Sequence, residues 1–201
     1  MKQADRPLLA DWHAIILHRP HPSVDALKRQ LELLHIRVTT VWPQLDESHA
    51  GADIVFFDAD MGHDGQFPWP SGFAPMPMVA LIGSETPGRI EWALAQGSNA
   101  HLLKPIGSTG AYSALLIATH AYRAALSQAD DIRTLENRVR QRPVVVHAVL
   151  DLLRQGAGSE EEAWARLRRV AMDWGMTIED AAEAICRKDR HIGSFPARKS
   201  N

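Results

Sequence analysis

AYSALLIATHAYRAALSQADDIRTLENRVRQRPVVVHAVLDLL (Ala111–Leu153) is the stretch that divides this chain. Steps alternating between three and four residues visit Ala111, Ala114, Ala118, Ala121, Ala125, Gln128, Ile132, Leu135, Val139, Arg142, Val146, Val149 and Leu153. All but Gln128 and Arg142 are apolar, and a mean step of about 3.5 residues keeps a stripe on one side of a helix, as in a coiled-coil seam. A single helix of that length spans roughly 64 Å, too long to bury its stripe on its own chain throughout. The alanine-rich start is expected to pack on the domain before it. Ile132, Leu135 and Val139 are expected to form the seam of a homodimer. Pro143 interrupts the pattern, removes one hydrogen bond and crowds the Val139 carbonyl, so a kink or a restart is expected there.

Upstream of this stretch, apolar runs alternate with helical patterns. HAIILH (His13–His18) predicts a buried strand, and Ser23 is expected to cap a helix carrying Val24, Leu27, Leu31 and Leu34. RVTTVW (Arg37–Trp42) predicts a second strand, and ADIVFFDAD (Ala52–Asp60) holds a third with Asp58 at its C-terminal end. Residues 61–77 are rich in Gly and Pro and predict a long irregular loop, with Trp69 exposed on it. PMVALIG (Pro77–Gly83) is the fourth strand. Thr86–Gln96 is a helix with Ile90, Ala93 and Leu94 inward, stopped by Gly97, and HLLKP (His101–Pro105) is the fifth strand. Trp42 and Trp92 read as core or interface aromatics. The alternation implies a five-stranded parallel sheet of the α/β flavodoxin-like class, with chemistry beyond the C-terminal strand ends, where Asp58, Ser84 and Lys104 would gather.

Downstream, Gly156-Ala157-Gly158 ends the long helix. Ser159 and Glu162 form a capping box for a helix whose stripe is Ala163, Trp164, Leu167, Val170, Ala171 and Trp174, stopped by Gly175. Thr177 and Asp180 start another helix with Ile178, Ala181, Ala182 and Ile185. Three amphipathic helices, the first continuous with the coil, make a small bundle, and the polar tail is expected to be disordered.

Composition narrows the function. The 201 residues are 45% hydrophobic and 23% charged, as in a folded soluble protein. Residues 1–110 carry 8 Lys/Arg against 12 Asp/Glu, and residues 111–201 carry 14 against 12, a mild asymmetry compatible with a polyanion-binding second half. Cys186 is the sole cysteine, so neither an intrachain disulfide nor a cysteine-rich zinc site is expected. The N-terminus lacks a signal-peptide pattern and no 18-residue apolar run follows, so the expected location is cytoplasmic. His18 and His21 near Asp58 raise the question of a metal. Ten scattered histidines make that grouping unremarkable, and neither metal nor cofactor is expected. No G-x-S-x-G, Walker loop or HExxH motif occurs, and no nucleophile, base and oxyanion set can be assembled, so an enzyme is not expected.

ADIVFFD with Asp58, and GSNAHLLKP (Gly97–Pro105) with Lys104, resemble receiver domains of two-component response regulators. That resemblance implies a phospho-acceptor aspartate and a lysine that contacts the phosphoryl group before a cis proline. It also implies acidic Mg²⁺ ligands after the first strand, where this chain reads His18, Arg19, Pro20, His21. Without them, phosphoryl transfer to Asp58 loses its main charge neutralisation. The expectation is a pseudo-receiver with a degenerate pocket of Arg19, Asp58, Ser84 and Lys104, in which Arg19 pairs with Asp58.

SEEEAWARLRRVAM (Ser159–Met172) with TIEDAAEAI (Thr177–Ile185) resembles the ANTAR module of bacterial transcription antitermination regulators, and the whole chain is most similar to the amidase-operon type. The family's Ala-Lys-Gly-x-Leu-Met stretch falls on Ala148 to Leu153, with Val149 and Leu150 in place of Lys-Gly. The resemblance implies that paired modules hold hairpins of a nascent leader RNA so that a terminator cannot form. It implies control by a ligand-sensing partner of the amide-binding kind acting on the degenerate receiver. Phosphate contact needs cations, and Arg142, Arg154, Arg166, Arg168, Arg169, Arg187 and Lys188 are those available. The expected division is 10–123 pseudo-receiver, 124–142 coiled-coil linker, 143–190 RNA-binding helical module and 191–201 disordered tail. The alternatives are a phosphorylation-dependent response regulator using Asp58, and a coiled-coil interaction protein without an RNA target.

Overall fold

In a computed structural model describing residues 9 and 11–189, the first half of the chain builds a five-stranded parallel sheet. Its strands are β1 (His13–Leu17), β2 (Arg37–Val41), β3 (Ile54–Asp58), β4 (Met78–Ile82) and β5 (Ala100–Leu103). The spatial order β2-β1-β3-β4-β5 is the flavodoxin-like one. The helices are α1 (Pro22–Leu33), α2 (Pro87–Ala95), α3 (Ala111–Arg154), α4 (Glu160–Trp174) and α5 (Ile178–Asp189).

β1, β3 and β4 are apolar on both faces because both faces are covered. Ala14, Ile16, Ile54, Phe56, Val79 and Leu81 point to one side, under Leu27 and Leu31 of α1 and Ala111, Ala114, Leu115 and Ala118 of α3. Ile15, Leu17, Val55, Phe57, Met78, Ala80 and Ile82 point to the other, under Ala93 of α2 and Phe67 and Met76 of the β3–β4 connection. The period of two along each strand thus serves two cores, and each large side chain fully removed from water contributes about 1.5–3 kcal/mol before entropy is counted. The alanine-rich start of α3 packs on this domain as expected.

Between β3 and β4 the chain forms no helix. The loop is held by α2 instead: Arg89 donates to the Gly62 carbonyl at 3.0 Å and the Trp92 indole to Asp64 at 3.2 Å. Trp92 lies so close to Gly62 that an added Cβ would meet its ring at 2.1 Å. Trp69, expected to be exposed, is half-buried and stacked on Phe67 at 5.6 Å, because the loop folds its aromatics back onto the sheet. Leu94, expected inward, is exposed, because α2 turns Ala93 into the core with Ile90 and Trp92 packed partly against it and leaves Leu94 on the outer face. The cap of α1 is His21, whose ring accepts from the Ser23 amide, and not Ser23 itself.

The chain divides into two compact units after Ser127. In the second, Val145, Ala148, Val149 and Leu152 of α3 pack with Ala163, Leu167 and Ala171 of α4 and Ala181 and Ala182 of α5. The many alanines allow close helix approach. Ser159 accepts from the Glu162 amide, while the Glu162 carboxylate takes the N–H of Gly158, one residue earlier than a reciprocal capping box places it. Thr177 accepts from the Asp180 amide at the start of α5. α3 neither ends nor restarts at Pro143. Proline removes one donor there, and that position is exposed, where water can serve the freed carbonyl.

Candidate functional sites

Register places one cluster at the C-terminal ends of β1, β3 and β5. Leu17 pairs with Phe57 in the sheet, so the next residues, His18 and Asp58, are neighbours. Both side chains are 1% exposed. Lys104, which follows β5 and precedes a cis proline, places its Nζ 2.8 Å from Asp58 Oδ1, 2.6 Å from Asp60 Oδ2 and 3.2 Å from His18 Nε2.

The protonation of His18 follows from its partners. Its Nδ1 lies 2.6 Å from the Arg19 carbonyl, which can only accept, so Nδ1 carries the proton. In the neutral ring Nε2 is then a lone pair that accepts from Lys104. Asp58 Oδ2, 3.3 Å from the same Nε2, receives no donor and is buried without a hydrogen bond. Burial pushes the His18 pKa down, and the Arg19 carbonyl and the Asp58 charge only partly oppose it.

Arg19, expected to pair with Asp58, is exposed. The position is filled by Lys104 and His18, because the chain turns outward directly after His18. Ser84 is exposed too, and it meets the cluster through its backbone amide, 3.0 Å from Asp60 Oδ1. Asp60 was not singled out by the sequence reading, although the Asp-x-Asp spacing at the end of β3 pointed to it. Its carboxylate also takes the Gly83 amide at 2.8 Å, and its own amide donates to Asp58.

This donor set does not fit the Mg²⁺ that a working receiver requires. Magnesium needs several oxygen ligands in a near-octahedral shell, and here an ammonium group bridges the two available carboxylates while an imidazole closes the remaining side.

The second candidate site is the set of arginines on the helical unit. Arg166 leans on Glu162 at 2.7 Å, Arg154 on Asp151 at 2.9 Å and Arg187 on Glu183 at 2.7 Å. Among the described residues, Arg142, Arg168 and Arg169 are exposed with no ion pair. Arg168 lines two concavities, one with Glu160, Glu161, Trp164 and Ile178 and one with Gln141, Met176, Glu179 and Asp180. Arg169 lies on the opposite side of α4 from the buried Leu167. The side chain of Lys188 lies outside the described residues, as does the tail from residue 190. Val149 is buried in the bundle and Leu150 is exposed, so of the two replacements only Leu150 reaches the surface.

Along the middle of α3, Ile132, Leu135 and Val139 are 57%, 58% and 56% exposed. Three large aliphatic side chains in a row at coil spacing have no cover within the described chain. No helix is long and apolar enough to cross a membrane, among the described residues.

The sequence matches the family model of the AmiR N-terminal domain over residues 12–119 and that of the ANTAR domain over residues 133–185. No curated protein sequence matches it significantly. Similar solved structures include the ShkA Rec1 domain in complex with c-di-GMP, 24% identical, covering 55% of this chain and 92% of that one, with a TM-score of 0.41. Another is the signal receiver domain of a modulated diguanylate cyclase from Desulfovibrio desulfuricans, 16% identical, covering 56% and 97%, with a TM-score of 0.43. A chemotaxis protein of Vibrio cholerae is 16% identical, covering 54% and 99%, with a TM-score of 0.43.

Proposed function

The chain belongs to the AmiR-like ANTAR antitermination regulators, and from that membership we propose that its helical module binds hairpins of a nascent leader RNA and keeps a terminator from forming. The observation that supports the reading is the set of arginines on the ANTAR-matched segment, of which Arg142, Arg168 and Arg169 are exposed with no ion pair among the described residues. Cations left unpaired in the free protein bind phosphate without first breaking an ion pair, and RNA loops add unstacked bases to read. Arg154, Arg166 and Arg187 are secondary contacts, since each has a carboxylate to leave, and Lys188 completes the set.

The protein acts as a dimer in the cytoplasm. Ile132, Leu135 and Val139 form the seam, and the two modules together hold paired stem-loops. The receiver-like domain, residues 10–123, takes its signal from a ligand-sensing partner of the amide-binding kind. It does not take it from a phosphoryl group, because Lys104 and His18 already surround Asp58. Residues 124–142 serve as the coil and 143–190 as the RNA module.

A gel shift of the full chain with the leader RNA upstream of its own operon tests this. Binding that weakens steeply with salt is expected. Absence of binding, with the protein folded and dimeric, leaves the coiled-coil interaction protein as the better reading.

A further inference from the structure

The β3–β4 connection crosses one face of the sheet without a helix, and it buries polar atoms there that no group among the described residues satisfies. Gln66 is 0% exposed, and neither Nε2 nor Oε1 of its carboxamide has a hydrogen-bond partner. Three residues on, the Trp69 indole N–H is buried without an acceptor. A carboxamide offers two N–H donors and two acceptor lone pairs, so the connection folded onto the sheet forgoes hydration that the same groups regain in water. Aromatic packing holds it down against that cost. Trp69 stacks on Phe67 at 5.6 Å, and Phe67 meets Phe57 of β3 edge to face at 5.4 Å.

We propose that residues 61–76 form a strap with two positions, one closed on the sheet as described and one open to water, and that the unpaired Gln66 carboxamide keeps the two close in free energy. The ends are fixed. Asp60 is held by the amides of Gly83 and Ser84, and the Pro77 carbonyl takes the Val55 amide at 3.1 Å. Between them Gly65 and Gly72 stand at φ +85° and +81°, a backbone region that glycine enters without strain. The closed position rests on single bonds: the Leu45 amide to the Gln66 carbonyl at 3.0 Å, the Ser71 hydroxyl to Gln96 at 3.3 Å, and the contacts of Arg89 and Trp92 with Gly62 and Asp64. Opening hydrates Gln66 and Trp69, frees α2 from these loop partners and uncovers Phe57 and Met78, which are otherwise buried in the core on that face. It is therefore a switch in the exposed apolar surface of the sheet domain, and it needs no phosphoryl group.

Hydrogen exchange on the full chain reads the opening. In the wild type the Leu45 amide and the Trp69 indole N–H should be protected at least about tenfold less than the Ala59 amide, which donates to Leu81 in β4. Gln66→Met keeps the bulk of the side chain and removes its polar atoms. Protection of Leu45 and Trp69 should then rise together by about fivefold or more, with Ala59 unchanged. Gly62→Ala acts in the opposite direction, because its Cβ would meet the Trp92 ring at 2.1 Å, and both protections should fall. A fall or no change in Gln66→Met means that the carboxamide is satisfied when the strap is closed, and it overturns the proposal. Leu45 and Trp69 responding by different factors overturns it too, since the strap then does not move as one unit. Protection of Leu45 and Trp69 equal to that of Ala59 in the wild type overturns it even where neither variant folds.

Discussion

Lys104 Nζ stands 2.8 Å from Asp58 Oδ1, in a pocket where the Asp58 side chain is 1% exposed and that of Lys104 11%. The pair is buried enough that removing one partner leaves a costly charge. Asp58→Ala should therefore destabilise the domain by about 3 kcal/mol, the low end for a broken buried pair because Lys104 keeps Asp60. Denaturant midpoints at pH 7 measure it. The same variant should leave RNA affinity unchanged under conditions where it is folded.

Acetyl phosphate with Mg²⁺ should leave Asp58 unmodified. Attack on a phosphoryl donor needs a reachable carboxylate oxygen and a metal to neutralise charge; Asp58 Oδ2, the oxygen Lys104 leaves free, is buried against His18, and the cluster does not fit the metal. Intact-protein mass spectrometry in acid reads the outcome. An added phosphoryl mass located at Asp58 would return the phosphorylation-driven reading.

His18 sets a pH dependence with a definite sign. Its folded pKa lies below the ordinary 6.5, so below that pH the unfolded chain binds a proton that the folded one resists. Its contribution is complete above 6.5 and falls as the pH drops toward the folded value. Urea midpoints measured downward from pH 7.5 should decline, and His18→Gln should decline less steeply over the same window. Asp60 acts lower. Its depressed carboxyl contributes above the ordinary 3.8 and loses that contribution as the pH falls through its folded value.

The strands were legible because ADIVFFD and MVALI carry unbroken apolar runs that only a sheet covered on both faces uses. Asp58 and Lys104 were legible from their places at strand ends. His18 was placed near Asp58 only as a possible metal ligand; that its ring faces the carboxylate directly depends on the Leu17–Phe57 register, which a single sequence does not state. Asp60 was missed for a similar reason: its donors are backbone amides of Gly83 and Ser84, which carry no side-chain signature. Arg19 was misplaced because charge complementarity favoured it and only the outward turn after β1 removes it. On α3, the stripe of apolar residues was readable as a whole. Where it changes from domain-packing, at Ala118, to exposed, at Ile132, depends on how far the sheet domain reaches along the helix.

The proposed seam predicts an oligomeric state. Leu135→Glu puts a like charge opposite its own copy in a twofold coil, at a position 58% exposed in the single chain, so the fold of each chain should survive. Light scattering should fall from a dimer mass to a monomer mass, with the far-ultraviolet helix signal largely kept. A dimer that persists in Leu135→Glu together with Val139→Glu places the contact elsewhere.

The arginines of the helical unit differ in what they would give up to bind RNA, and that difference can be measured. Arg168 and Arg169 have no ion pair to break, whereas Arg154 and Arg187 each hold a carboxylate within 3 Å. Arg168→Ala with Arg169→Ala should weaken binding to the leader RNA by about ten- to a hundredfold, and each lost phosphate contact should lower the slope of log affinity against log salt by about 0.7 to 0.9. Arg154→Ala with Arg187→Ala should cost less affinity at the same salt, since the wild type spends part of each contact on leaving Asp151 or Glu183. Neither pair lies in the buried set of Ala163, Leu167, Ala171, Ala181 and Ala182, so helix content and melting temperature should stay near wild type. If the Arg168/Arg169 variant binds as tightly as wild type at every salt concentration, the RNA surface lies away from α4.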